Sequence, residues 1–296
     1  MKIQFAVFAL ILASLIGVFS FPHASAESTP PKLTTTADEK SILEKLSEYG
    51  TLNYFGIYRG SSLSALGSPL QPRIDGVLDA TSPAMLENLL TAGYKIRKDL
   101  IVGAVAHFNL FPWSDPTGGT QRAQFLDPTL FISKVGLVDS NGFKLDTRLS
   151  LNLPLSKYDT LLSRNLATAV SAIFNARYDL PSSKLTLGTF SYIRGYVPTA
   201  DVVANAPSYA IVAAPYANYQ LTDHLAATLW VDLIQCTRNF GTGFFSGLKN
   251  APVDIEPGIS WDITKNITFN PVLNIYPGHP TLASTSILAY IIAKAF

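Results

Sequence analysis

One cysteine, Cys236, and two methionines are the only sulfur in a chain of 296 residues. A lone thiol excludes an internal disulfide framework and a zinc site built from cysteines. It suits a protein exported to an oxidising compartment, where spare thiols mispair. Charge is scarce too: 15% of the residues are Asp, Glu, Lys or Arg, against about 25% in ordinary soluble domains. Neither sign dominates, the formal net charge being +1, so no basic surface and no nucleic-acid partner are expected. The histidines His23, His107, His224 and His279 stand apart without ligand spacing, so no metal and no cofactor are expected. Catalytic motifs are missing as well. There is no G-x-S-x-G elbow, and neither Gly118-Gly119 nor Gly241-Thr242-Gly243 is followed by the Lys-Ser/Thr of a phosphate cradle. An enzyme is not the expectation.

The last absence is a second long apolar run. A membrane-crossing helix needs about 20 apolar residues. Residues 100–111 contain His107 and Asn109, residues 206–217 contain Pro207 and Pro215, and 287–296 is too short. Yet 48% of the chain is apolar. That combination leaves a soluble all-β protein, or a barrel whose lipid face is hidden in alternation.

The front of the chain is a targeting segment. Lys2 precedes a charge-free apolar run over 5–19, Pro22 breaks it, and Ala24-Ser25-Ala26 is a small-x-small cleavage pattern. Residues 1–26 read as a secretory signal; an uncleaved anchor is the alternative, because the apolar run is long. No Cys follows, which disfavours a lipoprotein. Removal of Lys2 with the signal leaves 21 basic against 21 acidic residues. Residues 27–49 form a Thr/Pro/Ser-rich lead with a short helical pattern, Ile42, Leu43 and Leu46 sharing a face. A periplasmic helix is expected there, with a flexible tether as the alternative.

Residues 50–296 carry period-2 patterning. Over 143–155, Phe143, Leu145, Leu149, Leu151, Leu153 and Leu155 oppose Lys144, Asp146, Arg148, Ser150 and Asn152. The segments 224–233, 253–263 and 267–275 alternate in the same way. These strands run to about ten residues, whereas soluble strands have a mode of about five or six and tilted membrane strands need about 9–11. Tight turns at 97–99, 139–142, 181–183, 221–223 and 264–266 alternate with long links. The expectation is all-β: an antiparallel transmembrane β-barrel of about twelve strands, with short turns on the periplasmic side and long loops outside. The first and fourth strands carry apolar residues on both faces, a mark of bulges. Pro215, Pro257 and Pro271 fall inside strands and predict bulges as well.

The C-terminal strand ends with Tyr290, Ile292 and Phe296 in step with Leu288. This resembles the C-terminal signature of Gram-negative outer-membrane β-barrels, with Lys294 as a departure at a usually apolar position. The resemblance implies an outer-membrane location, outer-membrane lipid as surroundings, and recognition by the barrel-assembly machinery. Porin-like barrels often form homo-oligomers, although no interface signal is visible. Tyr58, Phe111, Trp113, Tyr178, Tyr196, Trp261, Tyr290 and Phe296 near strand ends suggest aromatic girdles. The stretch Asp139-Ser140-Asn141-Gly142 resembles outer-membrane phospholipases faintly. Val138 stands where that family has histidine, so the serine lacks its base and the stretch reads as a turn.

Charges facing lipid cost roughly 2–4 kcal/mol at midplane. Lys144, Asp146, Arg148, Arg177, His224, Asp232, Asp254 and Glu256 are therefore expected to line the interior, bases on one wall and acids on another. Such a field filters solutes by charge. The expected function is a narrow channel for small polar solutes. A structural or surface-interaction barrel with a plugged lumen is one alternative, and a lipid-modifying enzyme is another.

Overall fold

A computed structural model describes residues 48–73, 80–111, 122–203, 205–242 and 248–295. The signal, most of the lead, Trp113 and Phe296 lie outside the described residues. No helix among the described residues is long and apolar enough to cross a membrane.

Twelve strands form the wall: β1 (Gly50–Ser62), β2 (Met85–Arg97), β3 (Leu100–Leu110), β4 (Thr129–Ser140), β5 (Phe143–Asn152), β6 (Leu166–Asp179), β7 (Leu185–Pro198), β8 (Pro207–Thr222), β9 (Leu225–Asp232, resuming as Ile234–Asn239), β10 (Asp254–Thr264), β11 (Ile267–Asn274) and β12 (Ser286–Lys294). Each pairs antiparallel with the next, and β12 returns to β1, from Asn53 opposite Lys294 to Arg59 opposite Leu288. The sheet therefore closes and has no free edge along its wall, which leaves no unpaired ladder to face lipid. The expected fold class is what the chain adopts.

The turn chemistry explains the alternation of short and long connections. At the β4–β5 hairpin Asn141 and Gly142 both have positive φ, 53° and 82°, the condition for a two-residue type I′ turn. Ser140 of the phospholipase-like stretch is thus a hairpin residue, paired with Phe143.

Both strands with mixed faces are bulged. The β1–β12 register shifts between Arg59 and Ser62, and the β4–β5 register between Lys134 and Val138. In the second bulge Gly136 has φ 61°, and its N–H donates to Asp146 Oδ1 at 2.7 Å. Of the three prolines only Pro215 fits its expectation, and the extra residue is on the neighbouring strand. Ala213 pairs with Ile234 and Tyr216 with Trp230, so two residues of β8 face three of β9. Pro257 and Pro271 sit in an unshifted register. On their shared β10–β11 seam the described pairs instead jump from Gly258–Val272 to Trp261–Phe269. Lacking an N–H, a proline thins the ladder without inserting a residue.

Outward residues such as Leu149 (57% exposed), Ile193 (54%) and Trp261 (48%) are bare hydrocarbon or aromatic. At the long-loop end an apolar cluster forms instead. Leu161, from the short helix Thr160–Ser163 (α1), packs with Leu166, Ala169 and Ala206, and Tyr196 and Phe240 cover it. Phe240 is a packed loop residue; Phe244 and Phe245 lie outside the described residues.

Candidate functional site

Residues in register share a face, so the ladders carry the inward assignment from strand to strand. Asp232 pairs with Asp254 and Trp230 with Glu256, Asn270 with Tyr290, and Tyr290 with Ile57. Ile57 in turn pairs with Glu87, and Glu87 with Asn109. One inner arc thus runs from β9 through β12 to β3.

Its acids are brought together. Asp232, Asp254 and Glu256 each place a carboxylate oxygen within 4.8 Å of the others. Asn274 Nδ2 donates to Asp254 Oδ2 at 2.8 Å and to Glu256 Oε1 at 3.4 Å. The Tyr290 hydroxyl donates to Glu256 Oε2 at 2.6 Å, and Gln235 Nε2 donates to Asp232 Oδ2 at 2.5 Å. Beside them Arg59 bonds Glu87 through Nε and one terminal nitrogen, at 3.3 and 3.2 Å. Glu87 also meets His107 Nε2 at 3.1 Å.

The bases occupy the facing arc, β5 to β7. Arg148 donates from Nε to Ser133 Oγ at 2.9 Å and lies 4.2 Å above the Phe131 ring. That ring has room because Gly103, its ladder partner, has no Cβ to strike it. Arg194 makes the matching pair of contacts, with Ser171 Oγ at 2.9 Å and the Tyr192 ring at 5.2 Å. Lys144 and Arg177 stand directly opposite each other near the short turns, Lys144 reaching Asp139 at 4.0 Å. Among the described residues no ion pair joins Arg148, Arg177 or Arg194 to Asp232, Asp254 or Glu256.

One expected residue sits elsewhere: His224 is exposed in the β8–β9 turn. Asp146 shares the face of Lys144 and Arg148 and accepts the N–H of Gly136 in the β4 bulge. Tyr290 and Ile292 share the inner face with Leu288, so Tyr290 does not belong to an outer girdle; Tyr196 also turns inward, onto the apolar cluster. Tyr178 and Trp261 face outward at 39% and 48% exposure. Arg59, Glu87, Arg194 and Gln235 were not singled out from the sequence. The β1 bulge blurs the alternation around Arg59, and Gln235 is on the wrong parity until a bulge corrects it.

No protein-family model and no curated protein matches the chain. Among solved structures, it is similar to an outer-membrane channel from Pseudomonas putida F1. The identity is 9% and the TM-score 0.49, over 90% of this chain and 100% of that one. It is also similar to outer-membrane phospholipase A from Escherichia coli, at 12% identity and TM-score 0.36, over 86% of this chain and 95% of that one. At these values the likenesses carry neither a transport nor a lipolytic activity over to this chain. A closed wall with apolar side chains outside and charges inside is what lipid requires of strands. This chain is a closed, twelve-stranded antiparallel β-barrel that resembles outer-membrane barrels in fold.

Proposed function

We propose that the barrel is a channel in a Gram-negative outer membrane, passing small polar solutes through a lumen with a transverse electric field. The observation that carries this reading is the separation of charge. A closed plug neutralises its interior charges pairwise, because an unpaired buried charge is costly. Here Arg148 and Arg194 rest on hydroxyls and aromatic rings, while the acids gather on the facing arc. Twelve strands also lie between the eight that side chains fill and the sixteen or more of wide porins. The phospholipase-like reading has less support, since Ser140 sits in a hairpin with no histidine two positions before it.

Purified protein in a planar bilayer is expected to give discrete conductance steps. Replacing Arg148 and Arg177 together by Gln removes positive charge from the lumen and shifts the reversal potential toward cation selectivity. A folded barrel that passes no current discards the channel, and an unchanged reversal potential discards the charge assignment. Phospholipid hydrolysis lost in Ser140→Ala would restore the enzyme.

A further inference from the structure

The three carboxylates of the acid arc form a cluster that is incomplete as it stands. Asp254 and Glu256 are each only 7% exposed, and like charges this close repel strongly away from water. Arg59 lies within electrostatic reach but is already bonded to Glu87. Uncharged donors hold one oxygen of Asp232 through Gln235, one of Asp254 through Asn274, and both of Glu256, through Tyr290 and, at 3.4 Å, Asn274. That is how outer partners orient the ligands of a metal ion. The remaining oxygen of Asp254, Oδ1, is buried without any hydrogen-bond partner.

We propose that Asp232, Asp254 and Glu256 form a calcium site inside the barrel. Carboxylate oxygens are the ligands hard cations prefer, and Ca2+ takes them at about 2.3–2.6 Å in flexible arrangements. Oxygens up to 4.8 Å apart match two ligands placed across such an ion. Mg2+ needs about 2.0–2.1 Å in a strict octahedron and keeps its water, so this wider, partly dry cluster disfavours it. The ion supplies the missing partner of Asp254 Oδ1 and ties β9 to β10 where their pairing ends. The site depends on the barrel geometry alone and stands even if the protein conducts nothing.

The test uses purified protein folded in detergent micelles and stripped with EDTA. Calcium is titrated calorimetrically, and Tb3+ is titrated by luminescence, with Trp230 and Tyr290 beside Glu256 as sensitising rings. One ion per chain is expected, with Tb3+ emission displaced by Ca2+ far more readily than by Mg2+. Asp254→Asn weakens binding on the order of 10-fold or more, while Asp139→Asn, at an exposed hairpin, leaves it unchanged. Gel mobility of unheated samples verifies the folded barrel, and Glu256→Gln replaces Asp254→Asn if the latter does not fold. A folded wild-type protein with neither calcium heat nor displaceable Tb3+ emission overturns the proposal, as does binding that both variants leave intact.

Discussion

Asn88 poses the sharpest problem for a single residue. It lies on the outward face of β2, beside the inward Glu87, yet is 2% exposed. Lipid offers no hydrogen bonds, so a polar group there must be satisfied from within the protein. Its Nδ2 donates to the carbonyls of Leu86 and Phe108 at 2.8 and 3.2 Å, and the Tyr54 hydroxyl donates to its Oδ1 at 2.6 Å. The Tyr54 ring reaches across Gly56, where any Cβ would meet the hydroxyl. Tyr54→Phe keeps the ring and strands the amide oxygen, so we expect a loss of about 1–3 kcal/mol, read from denaturant unfolding in lipid vesicles. A loss near zero would mean that Asn88 finds water. Its partner is 34 residues away, so no local pattern in the sequence marks it.

At the scale of the element, β8 and β9 show how a local rule reaches the site. Pro215 cannot donate to the ladder, and the neighbouring strand answers with an extra residue, Leu233. Leu233 N–H then bonds Val231 O at 2.9 Å. Leu233 and Ile234 both end up outside, at 49% and 39% exposure, and the parity of everything after them is reversed. Gln235 therefore points inward and holds Asp232. Gln235→Leu is expected to keep the bulge and leave Asp232 without its donor. The expected cost is about 1–3 kcal/mol, measured as a lower denaturation temperature of the gel-resolved folded form. An unchanged temperature would mean that Asp232 does not rely on Gln235. The presence of a bulge near Pro215 was legible in the sequence, but the strand that carries it was not. Pro257 and Pro271 bring no bulge because each only interrupts the β10–β11 ladder: Pro257 between the Ile255–Ile275 and Gly258–Val272 pairs, and Pro271 between Gly258–Val272 and Trp261–Phe269.

For the whole molecule the decisive quantity is which side each aromatic ring faces. Trp261 is outward and 48% exposed. Trp230 is inward, its ring stacked on Tyr216 at 4.5 Å. In vesicles containing brominated acyl chains, Trp261→Phe is expected to remove much of the tryptophan quenching, and Trp230→Phe to leave most of it. The reverse result would turn the barrel inside out. The same inversion of sides explains the C-terminal strand. Tyr290 belongs to the apolar-looking signature, yet closure against β1 places it over Glu256.

Alternation, strand length and turn chemistry are local, so the sequence alone determined that the chain forms long hairpins with one apolar and one polar face. Because every parity relation within a hairpin is fixed by a two-residue repeat, most inward charges were readable before any pairing was known. The bulges and the β12–β1 closure are collective: they depend on how twelve strands share one ring of hydrogen bonds. Only the tertiary structure therefore decided that Asp232 meets Asp254 and Glu256, and that Arg59 stands beside them bound to Glu87.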